Sequence, residues 1–173
     1  MKSVPGDITR PITDRVKGAL FNIISADIVD SRFLDLFGGT GSVGIEALSR
    51  GAQFVQFIDK NQAACSVIRE NLEKCGFSDK ANIRKTDALS FMRGTEVPFF
   101  DYIFIAPPQY FGIWSKMVWQ IDKKISILSP NAWVIVQIDP KEYEKLNLSN
   151  LEEFDTRDYG STRLIFYQVS QID

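Results

Sequence analysis

The chain has 173 residues, 45% of them hydrophobic and 24% charged, with a net charge of −2; that length fits one domain, and folding should leave about 8,600 Å² exposed. With no histidine, it can carry no Ser-His-Asp relay, no Cys-His pair and no histidine-ligated metal, and two cysteines cannot build a four-thiolate site. The mild acidity argues against a general nucleic-acid binder, no apolar run reaches roughly 18 residues, and free thiols behind a start with no secretory pattern predict a cytoplasmic protein.

In chain order, Thr13 or Asp14 caps a first helix whose apolar stripe is Val16, Ala19, Leu20, Ile23 and Ile24. Residues 32–37 read as a short buried strand, followed by a glycine cluster and a helix that runs through Leu48 and stops at Gly51. Residues 54–59 form a second strand. Ala64, Val67, Ile68, Leu72 and Cys75 then recur at helical spacing, with Gly76 just past the end. Cys65 and Cys75 fall on different faces of that helix, which excludes a disulfide. Residues 82–86 form a weaker strand, 88–93 a short helix and 102–105 a fourth strand. Trp114, Met117, Val118 and Ile121 share one face of the next helix, and 133–138 form a fifth strand. Residues 155–159 and 162–169 flank Tyr159-Gly160-Ser161 as a closing antiparallel hairpin. This alternation predicts an α/β fold, a doubly wound and mostly parallel sheet covered by helices on both faces, in a single domain over 1–173.

The strongest local signal is Asp35-Leu36-Phe37-Gly38-Gly39-Thr40-Gly41-Ser42-Val43-Gly44, which leaves a strand and opens a helix. Glycines let the backbone approach a ligand, and the free N–H groups of a helix start point at it. Gly39, Gly41 and Gly44 satisfy G-x-G-x-x-G, and Asp59 ends the next strand 18 residues after Gly41, where a ribose-binding acid belongs. A plain strand-to-helix turn is the alternative without a ligand. With one, a nicotinamide enzyme and an S-adenosylmethionine enzyme look alike at this point. Asp35 favours the second, because a carboxylate beside the glycines attracts an ammonium and repels a pyrophosphate. Asp87, after Thr86 at the third strand end, suits an adenine amine, although Asp87 and Asp59 can equally serve as helix caps. The fourth strand runs into Ala106-Pro107-Pro108.

These residues resemble the RsmD-type bacterial methyltransferases that modify guanine N2 in small-subunit ribosomal RNA. Thr9-Arg10-Pro11-Ile12-Thr13-Asp14-Arg15-Val16 with Ala19-Leu20-Phe21-Asn22 is similar to the family's N-terminal signature. The segment from Asp35 to Gly44, followed by Glu46-Ala47-Leu48-Ser49-Arg50-Gly51-Ala52, is similar to its cofactor loop and helix. Tyr159-Gly160 and Leu164 to Tyr167 match its closing hairpin. The resemblance implies a Rossmann-like class I methyltransferase with a seven-stranded sheet and S-adenosylmethionine as cofactor. It places the cofactor on Asp35, Phe37, Gly38, Gly39, Thr40, Gly41, Asp59, Lys60, Asp87 and Ala88. Asp59 would meet the ribose hydroxyls, Asp87 the adenine, and Gly38 to Gly41 the methionine part. It implies no metal, no membrane and ribosomal RNA of the small subunit or its assembly intermediate as partner.

Two departures stand out. The family closes its fourth strand with Asp or Asn, two prolines and Phe or Tyr, whereas this chain has Ala106, Pro107, Pro108 and Gln109, with the aromatic at Tyr110. The family also usually begins with a basic β-hairpin, whereas eight residues precede Thr9 here. The expected catalytic corner is therefore Ala106, Pro107, Pro108 and Gln109, with the Pro107 carbonyl and the Gln109 side chain accepting from the target amine. Tyr110 or Trp114 would stack on an extruded base. Residues 1–30 would lie beside the substrate, with Arg10, Thr13 and Arg15 against RNA. Residues 1–17 carry a charge of +2 while 139–158 carry −4, which makes the N-terminal segment the phosphate-facing side. The alternatives are a weakened S-adenosylmethionine-binding module associated with RNA, a methyltransferase of another nucleic-acid amine such as adenine N6, and a nicotinamide dehydrogenase.

Overall fold

The computed structural model describes residues 1–4, 11–94 and 99–171. Helix α1 spans Asp14–Ile24, β1 Arg32–Asp35, α2 Ser42–Ser49, β2 Phe54–Asp59, α3 Gln62–Cys75 and β3 Ala81–Lys85. Next come α4 at Ala88–Arg93, β4 at Phe100–Ile105, α5 at Ile113–Lys123, β5 at Leu128–Ile138, β6 at Leu151–Tyr159 and β7 at Thr162–Val169. The seven strands form one sheet in the order β3-β2-β1-β4-β5-β7-β6. All pairings are parallel except those of β7 with β5 and with β6. The chain moves outward from β1 through β2 to β3, then returns to β4 on the other side of β1. Such a reversal opens a crevice at the carboxyl ends of the two central strands.

The alternation of side chains along each strand feeds two cores. Phe33, Val55, Phe57, Tyr102, Phe104 and Ile135 pack against α1, α2 and α3. Leu34, Leu36, Ile103, Ile105, Val134 and Val136 pack against α4 and α5. The folded surface is 8950 Å², near the value expected from size alone. The cap of α1 is Thr13, whose Oγ1 accepts from the Val16 amide at 3.2 Å. Gly76 ends α3 at φ 73°, the left-handed geometry that glycine reaches at little cost. Both cysteines are free, Cys65 buried and Cys75 exposed.

Five strands differ in their bounds from the expected ones: β3 runs one residue earlier, at Ala81–Lys85, β4 starts two residues earlier, at Phe100, and β1, β5 and β6 differ as follows. β1 ends at Asp35, because the glycine turn begins at once, although the Leu36 amide still donates to the Phe104 carbonyl. β5 starts at Leu128, five residues earlier than its apolar run. Its opening carries exposed Pro130 and Asn131 beside a register shift between Phe100 and Tyr102. β6 starts at Leu151 rather than 155. As the sheet's outer strand it pairs on one side only, and its mixed exposure hides the period-two signal.

Candidate functional site

The glycine loop is a tight turn braced on both sides. The Gly38 amide donates to the Ile58 carbonyl at 2.9 Å and the Gly41 amide to the Gly38 carbonyl at 2.7 Å. Gly39 and Gly41 have φ values of 56° and 81°. A Cβ on Gly38 would lie 2.7 Å from Ile68 Cδ1, and one on Gly44 would lie 2.4 Å from Phe57 Cε1. These two glycines therefore let the loop and α2 settle against α3 and β2. Gly39 differs: a Cβ there would meet nothing nearer than the Phe37 carbonyl at 4.0 Å, because it would project into open space at the crevice.

Asp59 and Asn71 fix the loop's position. Asp59 Oδ2 accepts from the Gly39 amide at 3.0 Å and Oδ1 from the Asn61 amide at 2.8 Å. A carboxylate oxygen has two acceptor sites, so each oxygen can still accept from a hydroxyl. Asn71 is only 1% exposed. Its Nδ2 donates to the Thr40 carbonyl at 2.9 Å and the Lys2 carbonyl at 3.2 Å, while its Oδ1 accepts from the Lys2 amide at 2.9 Å. The sequence analysis missed Asn71, since a polar residue on a buried helix face is not distinguishable there from one facing solvent.

Two cavities open at this edge, and Phe37 and Gly39 line both. The larger, about 310 Å³, has Asp59, Lys60, Asp87, Ala88 and Pro108 in its walls, with an apolar floor of Leu36, Leu89 and Met117. Such a mix of apolar walls with few polar groups suits a small organic ligand. Asp87 does cap α4, its Oδ1 accepting from the Ser90 amide at 3.0 Å. Hydrogen bonds from Ser90 hold its carboxyl below the ordinary range, so it stays an ionised acceptor beside the cavity. Cap and cavity wall are one residue.

The smaller cavity, about 70 Å³, is lined by Pro11, Ile12, Asp35, Thr40, Ala106 and Gln137, among others. Asp35 is 1% exposed, and its Oδ1 has no hydrogen-bond partner. Burial raises its carboxyl to about 7, opposed by the amides of Phe37 and Gly44 and reinforced by the charge of Asp59. A cationic amine at Oδ1 would both supply the missing donor and hold the carboxylate ionised. A nucleoside in the larger cavity with an ammonium-bearing tail reaching Asp35 fits the donor and acceptor pattern of these walls.

Ala106 lines the smaller cavity and Pro108 the larger, so the diproline corner passes from one to the other, with Pro107 buried between them. Gln109 is half-buried and lines neither; the geometry does not bring it into contact with either space. Trp114 is corrected outright. It is 1% exposed and packs in the core beneath the corner, where no base can stack on it. The aromatic side chains exposed just after the corner are Tyr110 and Phe111, 64% and 67% exposed. Tyr110 holds φ at 66° while its hydroxyl donates to Asp139 Oδ2 at 2.9 Å. Phe111 is the second residue the sequence analysis missed, although its position just after the expected aromatic was a signal. Thr13 spends its hydroxyl on the cap of α1, and Arg15 is exposed on that helix. Arg10 and Thr9 lie outside the described residues. Among the described residues there is no cluster of three His, Cys, Asp or Glu side chains able to hold a metal, and no helix long and apolar enough to cross a membrane.

A family model described as Conserved hypothetical protein 95 matches residues 1–168. Ribosomal RNA small subunit methyltransferase D of Haemophilus influenzae is 36% identical over 128 residues, covering 72% of this chain and 62% of its own length. The match thus spans about three fifths of that relative. The rRNA methyltransferase candidate YlbH of Bacillus subtilis is 29% identical over 97% of this chain and 92% of its own. Among solved structures, the methyltransferase candidate YhhF of Escherichia coli superposes with a TM-score of 0.85 at 27% identity, covering 96% of this chain and 89% of that one. An RNA methyltransferase of Salinibacter ruber in complex with S-adenosyl-L-homocysteine has a TM-score of 0.70 at 16% identity, covering 95% of this chain and 97% of that one, and shares the fold.

Proposed function

The chain belongs to the RsmD-type family described as Conserved hypothetical protein 95, and from that premise we propose that it is an S-adenosylmethionine-dependent rRNA methyltransferase acting on a guanine N2 amine of the small ribosomal subunit. The observation that carries this reading is the pair of cavities joined at Phe37 and Gly39, with the diproline corner running from one to the other. Asp59 would bind the ribose hydroxyls, Asp87 and the floor around Ala88 the adenine, and Asp35 the ammonium. Lys60 sits exposed at the larger cavity's rim and the methionine part would follow Gly38, Gly39, Thr40 and Gly41. Bound there, the cofactor would supply an electrophilic methyl group to the amine nitrogen, its sulfur taking the electron pair of the broken C–S bond and the amine's surplus proton going to solvent.

The chain's own residues supply position. Pro107 and Pro108 stiffen the corner, so the Pro107 carbonyl keeps its aim at an incoming amine. Phe37 and Ile12 would give the smaller cavity its apolar walls. Tyr110 and Phe111 present ring faces on which an extruded base can stack. The exposed Arg15 on α1, with Arg10 ahead of it, would face phosphates, and residues 1–30 would form the substrate-side wall of one domain in a cytoplasmic enzyme. Alignment of two bound reactants accounts for much of the rate in such a transfer.

The test is incorporation of labelled methyl from S-adenosylmethionine into small subunits that lack the modification, with the product nucleoside identified by mass. N2-methylguanosine is the expected product. A protein that binds S-adenosylhomocysteine but transfers nothing would be the weakened binding module instead, and a methylated adenine would move the reading to another amine.

A further inference from the structure

Gln137 is a polar residue of the smaller cavity that the reading above leaves without a role. It lies near the end of β5, half-buried, and its Oε1 is buried with no hydrogen-bond partner. A buried acceptor left so is costly, and Gln137 lines the same small cavity as Asp35, whose Oδ1 is likewise without a partner.

Sheet register fixes where Gln137 stands. Asp35 pairs with Phe104 and Phe104 with Ile135, while Ile105 pairs with Val136. One step further puts Ala106 beside Gln137, two residues on from Phe104 and Ile135, hence on the same face. Neighbouring strands lie about 4.8 Å apart, so a side chain at either position reaches the same space. Ala106 offers no polar atom to it. Gln137 does.

Its side of the corner is also defined. The larger cavity, with Asp59 and Asp87, lies over the ends of β1, β2 and β3. Gln137 is on β5, across β4 from that ligand. A group there meets whatever approaches from the other side of the corner. Tyr110 is tied to the same strand end, its hydroxyl on Asp139 only two residues beyond Gln137.

We infer that the Gln137 side-chain oxygen accepts a hydrogen bond from the amine that is methylated, making Gln137 a catalytic residue that confers preference for a two-donor exocyclic amine. The inference rests on the methyltransferase reading. An exocyclic amine on a base has its lone pair delocalised into the ring. An acceptor on one N–H turns the nitrogen so that the lone pair leaves the ring plane, and with the Pro107 carbonyl on the second N–H both protons are held. The bond-making step is the one given above, unchanged in electrons or protons.

Two experiments decide it. In the S-adenosylhomocysteine-loaded protein, guanosine 5′-monophosphate should shift the Gln137 side-chain amide resonances, whereas inosine 5′-monophosphate, which lacks the 2-amino group, should not. Equal shifts with both, or none with either, overturn the inference. In turnover on small subunits, Gln137→Leu should lower kcat by about 10²-fold, the usual cost of a lost preorganised polar contact. Its affinity for S-adenosylhomocysteine should be unchanged, and its Tm should be no lower than the parent's, since the oxygen has no protein partner to lose. Adding Ala106→Asp should restore part of the rate from the neighbouring strand. Unchanged turnover in Gln137→Leu, or a parallel loss of cofactor affinity, overturns the assignment. A parent that transfers no methyl sinks the proposed function instead, and the nucleotide titration still decides Gln137 without turnover.

Discussion

Asp35 combines two facts that work against stability: it is fully buried, and one of its oxygens has no donor. With its carboxyl raised from 3.8 to about 7, the folded protein holds a proton between those values that the unfolded chain has released. Stability therefore falls as pH rises from about 4 to about 7 and is level beyond, by an amount on the order of 4 kcal/mol. Asp35→Asn should flatten that slope. The variant should gain on the parent steadily between pH 4 and 7 when thermal unfolding is followed at successive pH values; an unchanged slope would show that another group is responsible. The same residue sets the sign for binding. A cationic amine favours ionised Asp35, so S-adenosylhomocysteine should bind the parent more tightly as pH rises from 6 to 8. The Asn variant should bind weakly throughout, as isothermal titration would record.

At the scale of elements, the site depends on how closely α2 and α5 are held. A methyl group on Gly44 would stand 2.4 Å from Cε1 of Phe57, which is fully buried, and 2.8 Å from Val55 Cγ1. Gly44→Ala should cost about 1–3 kcal/mol by overpacking, read as a fall of several degrees in Tm. Asp122, near the end of α5, anchors the opposite side. Its oxygens accept from the Ser149, Asn150 and Leu151 amides at 3.0, 2.8 and 2.9 Å, and the Asn150 side chain donates to its carbonyl. Removing the carboxylate strands three amides where β6 begins, so Asp122→Ala should cost about 3 kcal/mol or more, with exchange protection lost first at β6. Such devices mark what was legible in the sequence. The glycine loop, the strand-end acids Asp35, Asp59 and Asp87 and the closing hairpin are local patterns, readable over ten residues. Gln137, Asn71 and Asp122 act across gaps of about thirty residues or more, through register and packing that no local period encodes. Trp114 was misread for a related reason: a helix stripe that faces a core and one that faces a ligand have the same spacing.

For the whole molecule, the reversal of strand order between β1 and β4 puts Asp59 and Asp87 on one side of the diproline corner and Gln137 on the other, with Asp35 sharing the smaller cavity with Gln137. On the proposed function, cofactor and target base would meet at that rigid edge. Binding to the folded state alone must then stabilise the whole fold. S-adenosylhomocysteine at 100 times its dissociation constant adds about 2.7 kcal/mol, and at about 2–4 °C per kcal/mol for a chain of this length the Tm should rise by about 5–11 °C. NAD tests the opposite polarity. Its pyrophosphate would lie along the same glycine loop, against an anionic Asp35 instead of complementing it, so no shift should follow at pH 8. Below about pH 6, where Asp35 is protonated, that repulsion disappears while the attraction for an ammonium is also lost. The gap between the two ligands should therefore narrow as the pH falls, and a constant gap would mean that the loop glycines, and not Asp35, choose the ligand.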